Sequence, residues 1–202
     1  MRRGSRRLLF LIGAPAAATT TFLWTRPEMH ALLGCARPSV YPPGAPFASL
    51  AADLAANPTV FGALLRDELP RTTYYDDADY VAFRNVKRYA ALAALVIPKR
   101  RLRQDPDALT ADELPVVERL KAVALDVVAR EQPAAFERGD YLLRFHRRPF
   151  NSVDHLHLHV LAPASSAPLW TSVVFFDGGL HAADVETVLD RLRREAADGG
   201  DD

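Results

Sequence analysis

The stretch His155-Leu156-His157-Leu158-His159-Val160-Leu161 decides the fold of this chain, because it alternates imidazole and aliphatic side chains. Successive side chains of an extended strand point to opposite faces, so the three imidazoles would share one face and Leu156, Leu158 and Val160 the other. Burial of the aliphatic face would fix the strand and hold a row of imidazoles at its surface. Because imidazole serves near neutral pH as nucleophile, acid or metal ligand, the pattern predicts a functional site.

Composition and charge are those of one folded domain with an appendage: 202 residues, 49% hydrophobic and 25% charged, with a formal net charge of zero. The basic excess is confined to residues 1–52, which carry six Arg against the single acid Glu28. We therefore expect no basic surface across the body and no nucleic-acid partner. The lone Cys35 excludes an internal disulfide and a cysteine-rich zinc site.

Residues 1–27 have the composition of a targeting or membrane-anchoring segment. Four Arg precede an apolar stretch over residues 8–24 that contains no acid. A mitochondrial presequence, a signal-anchor, a cleaved secretory signal and a packed helix all remain open. Because Gly13 and Pro15 interrupt the stretch, and about 20 apolar residues are needed to span a bilayer, a full membrane span is not indicated. We expect organelle targeting or membrane association through residues 8–24.

The rest of the chain divides into a Pro-rich connector (28–57), a compact domain (58–165) and a C-terminal strand and helix extension (166–202). Two short helices are predicted at 50–55 and 60–66, a long amphipathic helix at 110–132 and a terminal helix at 183–197. Strands are predicted at 72–75, 80–83, 91–97, 141–145, 155–161 and 171–176. Since most loops are too short for parallel crossovers, the order predicts an α+β fold with an antiparallel sheet, a long packed helix and a C-terminal helix.

Several motifs resemble the histidine triad (HIT) superfamily, over about residues 58–165. Residues 155–161 match its His-φ-His-φ-His-φ-φ signature, where φ is an apolar residue, and the runs 60–70, 75–83 and 96–99 are similar to the first half of that domain in the same order. The loop 145–153 resembles the FHxPPF-type loop of the branch that contains histidine-triad nucleotide-binding proteins and aprataxin. Two positions depart from the family, because Ala93 and Arg101 stand where many members carry histidine.

The resemblance implies a nucleotide hydrolase or transferase that cleaves AMP, or another nucleoside monophosphate, from a phosphoramidate, acyl-adenylate or similar conjugate. It implies that His157 is the nucleophile that carries the covalent nucleotidyl intermediate, that His159 contacts the phosphate, and that His155 supports their geometry. Ser152 would contact the phosphate and His146 would protonate the leaving group. No cofactor or metal is implied, and many members of the family form homodimers.

For the nucleoside, the resemblance implies an apolar slot for the base and polar contacts to the sugar and phosphate. Asn85 stands where the family has a ribose-binding Asp, and Arg144 would add positive potential together with Arg147 and Arg148. The residues assigned to nucleotide binding are Val60, Phe61, Phe83, Asn85, Asn151 and Arg144.

The chemistry of imidazole leaves two other interpretations of the triple-histidine face. His155, His157 and His159 could bind zinc, since an open zinc site needs three protein ligands. The chain could also be a nucleotide-binding regulator without turnover, given Ala93 in place of a family histidine. A covalent mechanism instead requires one neutral imidazole that keeps a lone pair on one nitrogen while the other nitrogen donates its proton.

Overall fold

The computed structural model describes residues 49–102, 105–175 and 179–199. The predicted targeting or anchoring segment 1–27 and the connector up to residue 48 lie outside these ranges. No helix within the described ranges is long and apolar enough to cross a membrane.

A six-stranded antiparallel sheet lies at the centre of the described residues. Its strands run in the spatial order β1-β2-β3-β5-β4-β6, and every neighbouring pair is antiparallel. The predicted antiparallel α+β architecture is therefore confirmed. The strands are β1 (Thr73–Asp76), β2 (Tyr80–Arg84), β3 (Leu92–Pro98), β4 (Leu142–His146), β5 (Leu158–Ala162) and β6 (Ala182–Asp184).

Helices and short 3-10 turns complete the described fold. The helices are α1 (Leu50–Ala56), α2 (Val60–Leu65), α3 (Leu114–Glu131), α4 (Pro133–Glu137), α5 (Leu169–Val174) and α6 (Val185–Asp198). A capping box between Thr110 and Glu113 closes the 3-10 turn before α3, and Pro115 lies in the first turn of that helix. These residues fix the start of α3 because they satisfy or remove backbone donors that lack helical partners.

One face of the sheet packs on α3 and α6 to form the main core. Leu120, Val127 and Leu192 are fully buried there, against strand residues such as Val96 and Val160. The apolar stripe of α3 and the alternating aliphatic residues of β5 thus meet in one layer, as their periodicities predict. The imidazoles of His155, His157 and His159 lie on the opposite side, away from this core.

The C-terminal part differs from the prediction in two places. The predicted strand 171–176 is wrong over residues 171–174, which belong to α5. The helix turn lets Phe175 bury its ring against Tyr89 and His159, so tertiary packing overrides the β-propensity of this run. The short strand β6 was not predicted. It pairs with β4 and ends at Asp184, whose side chain caps α6 by accepting from the backbone N–H of Glu186.

Replacement of Leu192 by Ala should lower the free energy of unfolding by about 2–5 kcal/mol, because it leaves a cavity between α6 and α3. Urea denaturation measures this. Arg194→Ala, on the exposed side of the same helix, should change stability by less than about 0.5 kcal/mol. Equal stability of the two variants would show that α6 is an appendage rather than part of the core.

Candidate active site

The histidine run keeps its alternation although the strand is shorter than predicted. β5 begins only at Leu158, so His155 and His157 lie in the irregular segment before it. Leu156, like Leu158, still faces the main core, and the three imidazoles lie on the other side. The predicted surface row of imidazoles is wrong, because the side chains are 0%, 4% and 6% exposed in chain order.

His157 has the hydrogen bond that a nucleophilic imidazole needs. Its Nδ1 lies 2.7 Å from the backbone carbonyl oxygen of His155. A carbonyl oxygen only accepts, so Nδ1 must carry the proton and Nε2 must keep its lone pair. The ring also packs edge-on against Phe61, with 5.3 Å between centroids. The hydrogen bond fixes the tautomer of His157, and both contacts fix the orientation of its ring.

His155 is held on both of its ring nitrogens. Nε2 donates to the carbonyl oxygen of Pro98 at 2.7 Å, and Nδ1 accepts from the side-chain amide of Asn57 at 3.1 Å. The ring is fully buried and does not line the pocket beside His157. The fixed ring of His155 holds the carbonyl oxygen to which His157 donates, and its supporting role stays a prediction.

Asn57 is a part of the site that the sequence did not reveal. It is 1% exposed, and its Oδ1 accepts from the backbone N–H and the hydroxyl of Thr59, at 3.1 and 2.7 Å. Gly62 lets α2 approach it, because a Cβ there would lie 2.8 Å from the Cβ and Cγ of Asn57. The Asn-Pro-Thr sequence signals a helix start, but nothing local indicates the bond to His155.

His159 and His146 form a second pair of imidazoles. Their ring centroids are 4.1 Å apart, and His159 lies 5.0 Å from His157. Both ring nitrogens of His159 and Nε2 of His146 are buried without a hydrogen-bond partner among the described residues. Since buried polar atoms are nearly always paired, these nitrogens are available to a bound ligand.

Burial keeps these imidazoles neutral at pH 7. It lowers the pKa of His146 to about 3, with smaller contributions from the neighbouring His157 and Lys87, which disfavour a further positive charge beside them. It also lowers the pKa of His157, against the hydrogen bond to the carbonyl of His155, and holds the pKa of His159 well below 6.5. Neutral imidazole is the protonation state that attacks phosphorus.

A pocket of about 710 Å³ opens over His157, His159 and His146. This volume is within the range of small-molecule sites. One end, which we call the base slot, is apolar and lies next to His157. It is formed by Val60, Phe61, Leu64, Phe83, Leu95 and Val153.

Three further residues of the predicted site line this pocket, two with polar side chains and one at its entrance. Ser152 is exposed and lines it beside the histidines. Asn85 also lines it and is 7% exposed, and its Oδ1 accepts from the backbone N–H of Lys87 at 3.0 Å. Val60, at 47% exposed, lies at the mouth of the base slot. The structure thus brings together Ser152, Asn85, Val60, Phe61, Phe83, His146, His157 and His159.

Arg144 and Asn151 lie elsewhere. Arg144 forms an ion pair with Asp184 of β6, and its Nε donates to the carbonyl oxygen of Phe175, after α5, at 3.2 Å. Its guanidinium is therefore engaged by protein groups. Asn151 is 1% exposed, and its amide nitrogen has no partner among the described residues. Neither side chain lines the pocket, so direct nucleotide binding by Arg144 and Asn151 is not supported by their positions.

The two departures from the family have distinct surroundings. Arg101 donates to the carboxylate of Asp154 at 2.7 Å, and its backbone N–H donates to the buried carboxylate of Asp53. It thereby ties α1 to the loop before the histidines. Ala93 packs in a small cluster with Tyr89 and Phe175, next to His159.

The zinc interpretation does not fit the donor atoms. Among the described residues, no group of three or more His, Cys, Asp or Glu side chains is arranged to hold a metal. His155 has both nitrogens engaged, by Asn57 and by Pro98, and therefore has no lone pair to share with His157 and His159.

Fold and site together define the class of protein. The sequence model of the family described as scavenger mRNA decapping enzyme C-term binding matches residues 58–173, more than half of the chain. The chain belongs to the histidine triad superfamily.

Particular relatives are similar over most of the described body. Mouse (Mus musculus) adenosine 5'-monophosphoramidase HINT3 is 29% identical over 137 residues, which cover 67% of this chain and 81% of the mouse protein. The bifunctional adenosine 5'-phosphosulfate phosphorylase/adenylylsulfatase HINT4 of Arabidopsis thaliana is 29% identical over 137 residues, covering 66% and 90%.

Solved structures with a similar fold include two HIT family hydrolases. The one from Clostridium thermocellum has a TM-score of 0.48 and 26% identity, and the match covers 55% of this chain and 95% of that one. The one from Legionella pneumophila has a TM-score of 0.46 and 24% identity, covering 51% and 90%.

Replacement of Asn57 by Asp should change the protonation of His155, because a carboxylate cannot donate to Nδ1. In the wild-type protein, Nδ1 of His155 should appear unprotonated in ¹⁵N NMR spectra of the ring nitrogens at pH 7. In Asn57→Asp both nitrogens should be protonated. Asn57→Ala, the control, should keep a neutral ring and lose about 1–3 kcal/mol of stability. The same His155 spectrum in Asn57→Asp as in wild type would contradict this account.

Stability should fall as the pH drops below 6.5. His146 stays neutral in the folded protein down to its pKa of about 3, whereas the unfolded chain binds a proton near 6.5. Its stabilising contribution is therefore complete above pH 6.5 and lost progressively toward pH 3, by up to about 1.4 kcal/mol per pH unit. In His146→Phe the slope of unfolding free energy against pH, from urea titrations between pH 6 and 4, should be smaller by about 1 kcal/mol per unit. Identical slopes would mean that His146 is protonated normally in the folded state.

Proposed function

We propose that this protein is a nucleotide hydrolase that releases AMP, or another nucleoside monophosphate, from a phosphoramidate, acyl-adenylate or similar conjugate through a nucleotidyl-His157 intermediate. The observation that carries the proposal is the 2.7 Å hydrogen bond from Nδ1 of His157 to the carbonyl oxygen of His155. It leaves the lone pair of Nε2 free on a neutral ring that lines the pocket.

In the first step, Nε2 of His157 attacks the α-phosphorus, and the bond from phosphorus to the leaving atom breaks. The imidazole ring becomes positively charged as the new N–P bond forms, since Nδ1 keeps its proton. The carbonyl oxygen of His155 stabilises that charge through the existing hydrogen bond. In the second step, water attacks the phosphorus, the N–P bond breaks, and the nucleoside monophosphate is released.

The groups around His157 fit the demands of a phosphate undergoing displacement. Phosphoryl transfer is catalysed mainly by alignment and by donors to the non-bridging oxygens. His159, with 5.0 Å between its ring centroid and that of His157, has an N–H that lacks a protein acceptor, and the hydroxyl of Ser152 lies at the pocket wall. His146 is next to His159 and can relay a proton toward the leaving group.

The base slot fits the nucleoside. Phe61 and Phe83 meet edge-on with 5.6 Å between centroids, and Leu95 completes an apolar wall beside His157. A nucleotide whose flat base is buried in this slot would place its α-phosphate near Nε2 of His157. The names of the two relatives give further support, because they describe enzymes that act on an AMP phosphoramidate and on adenosine 5'-phosphosulfate.

Replacement of His157 by Ala should abolish turnover and leave nucleotide binding largely intact. AMP release from an AMP phosphoramidate, followed by chromatography, should fall by at least about a thousandfold, because the attacking atom is lost. AMP affinity measured by calorimetry should stay within about tenfold, since the base slot is unchanged.

Two outcomes would contradict the proposal. Turnover retained in His157→Ala would exclude His157 as the nucleophile. Saturable AMP binding by the wild-type protein without release of AMP from phosphoramidate or acyl-adenylate conjugates would instead indicate a nucleotide-binding regulator.

A further inference from the structure

The backbone that carries the first two histidines of the run lies before the paired stretch of β5. The pairing of β3 with β5 extends to Val96 and Leu158, and His155 and His157 precede it. Backbone outside a sheet ladder needs other partners if it is to keep one conformation. The segment that follows β3, residues 99–102, supplies such partners.

Two successive peptide groups before β5 are bonded to this segment. The carbonyl oxygen of Asp154 accepts from Nε of Arg101 at 3.2 Å. The backbone N–H of Leu156 donates to the carbonyl oxygen of Leu102 at 3.4 Å. The peptide groups on either side of the Cα atom of His155 are therefore held by two consecutive residues of the segment.

The second of these peptide groups carries the carbonyl that binds the nucleophilic imidazole. It joins His155 to Leu156, and its oxygen lies 2.7 Å from Nδ1 of His157. Because a peptide group is planar, a hydrogen bond at its N–H also fixes the direction of its carbonyl. Hydrogen bonds in a chain polarise one another, so the bond to Leu102 also makes this carbonyl a stronger acceptor.

The side chain of Arg101 fixes Asp154 at two points. Its Nε bonds the main-chain carbonyl oxygen, and its Nη2 pairs with the carboxylate at 2.7 Å. The two side chains are only 12% and 15% exposed, so solvent and salt screen their attraction weakly. A planar guanidinium that bonds two acceptors of one residue restrains the main chain and the side chain of that residue together.

Arg101 is itself anchored from α1. Its backbone N–H donates to the carboxylate of Asp53, a residue of that helix that is 1% exposed. Arg148 also pairs with Asp154, at 3.1 Å, but its side chain is 55% exposed and it bonds the carboxylate rather than the main-chain carbonyl. The main chain before β5 is therefore held from Arg101.

We propose that Arg101 is a positioning residue for the nucleophilic His157, which it orients through the carbonyl oxygen of His155. This inference rests on the proposed function. Arg101 does not line the pocket, so it acts through this carbonyl rather than on the substrate. As the bond from Nε2 of His157 to phosphorus forms, the ring becomes positively charged, and the held carbonyl accepts the Nδ1–H that shares this charge. Histidine, which many family members carry at position 101, lacks the guanidinium fork that bonds carbonyl and carboxylate together.

The tautomer of His157 tests this role without turnover. In ¹⁵N NMR spectra of the full-length chain at pH 7, Nδ1 of wild-type His157 should be protonated and Nε2 should not. In Arg101→Ala the carbonyl of His155 is no longer held, so a mixture of tautomers with protons on Nδ1 and on Nε2 should appear. A loss of stability alone would not produce this mixture, because it changes the amount of folded protein and not the tautomer in the folded state.

The kinetics of AMP release from an AMP phosphoramidate give a second measurement. In Arg101→Ala, kcat should fall at least about tenfold and KM should stay within about threefold, because the pocket lining is unchanged. Arg101→Lys places an ammonium beside the carboxylate of Asp154 without the planar fork, so its kcat should lie between those of wild type and Arg101→Ala.

Arg191→Ala is the matched control. On α6, Arg191 donates to the backbone carbonyl oxygens of Leu109 and Pro106 at 3.0 and 2.8 Å, so its loss also frees main-chain acceptors. None of these three residues lines the pocket. Both the His157 spectrum and kcat of this variant should match those of the wild type.

An unchanged His157 tautomer and an unchanged kcat in Arg101→Ala would overturn the proposal and make Arg101 a purely structural residue. Where the wild type turns over, a change in only one of the two measurements would overturn it as well. If Arg101→Ala does not fold, Arg101→Lys decides, and a spectrum and a kcat equal to those of the wild type would then count against the proposal.

Failure of the positioning role can be told from failure of the proposed function. Wild-type protein that shows the expected His157 tautomer and releases no AMP from any conjugate would contradict the proposed function. The tautomer in Arg101→Ala would still decide whether Arg101 orients His157, because that spectrum requires no substrate.

Discussion

The hydrogen bond from Nδ1 of His157 to the backbone carbonyl of His155 is the constraint on which the site depends. It determines which nitrogen keeps a lone pair and where that lone pair points. The carbonyl is held in turn because the ring of His155 is bonded to Asn57 on one side and to Pro98 on the other. The side chain of Asn57 between α1 and α2, the backbone carbonyl of Pro98 at the end of β3 and the backbone carbonyl of His155 before β5 therefore act together to fix the imidazole of His157.

The sheet explains how buried histidines remain usable. The core face of β5 is anchored by residues such as Leu158 and Val160 against α3, which fixes the strand without involving the imidazoles. On the other face, burial lowers the pKa of His157 and His159, so both rings are neutral at pH 7. In the proposed mechanism His157 is then a neutral nucleophile and His159 a neutral hydrogen-bond donor. The cationic character of the pocket comes instead from its rim, where Lys87 and Arg88 line it. Charge and nucleophilicity are thus supplied by different residues.

The sequence predicts the features that depend on local periodicity. The alternation around Leu156 and the stripe of α3 follow from side-chain spacing, and the antiparallel order follows from the short loops. The family resemblance predicts Phe61 and Ser152 at the site, and both line the pocket. Contacts between distant segments could not be predicted. Asn57 stands in what looks like a connector, and only the folded chain brings its amide to His155.

The differences between the prediction and the structure have the same physical origin. The guanidinium of Arg144 is a group that commonly binds phosphate, yet β6 places Asp184 beside it, and the two side chains form an ion pair. Residues 171–176 have β-propensity, yet packing of Phe175 against Tyr89 favours a helix over residues 169–174, and Trp170 lines the pocket. In each case a partner distant in sequence outweighs the local preference.

The most direct test of the central claim is the mass of the intact protein during turnover. The full-length chain is mixed with an AMP phosphoramidate in excess EDTA and quenched in base, because bonds between phosphorus and a histidine nitrogen are lost in acid. Our account predicts a transient increase equal to one adenylyl group (AMP less one water), which digestion locates on a peptide containing His157, and no such increase in His157→Ala. Release of AMP by the wild-type protein without any adduct, or an adduct that survives in His157→Ala, would contradict it.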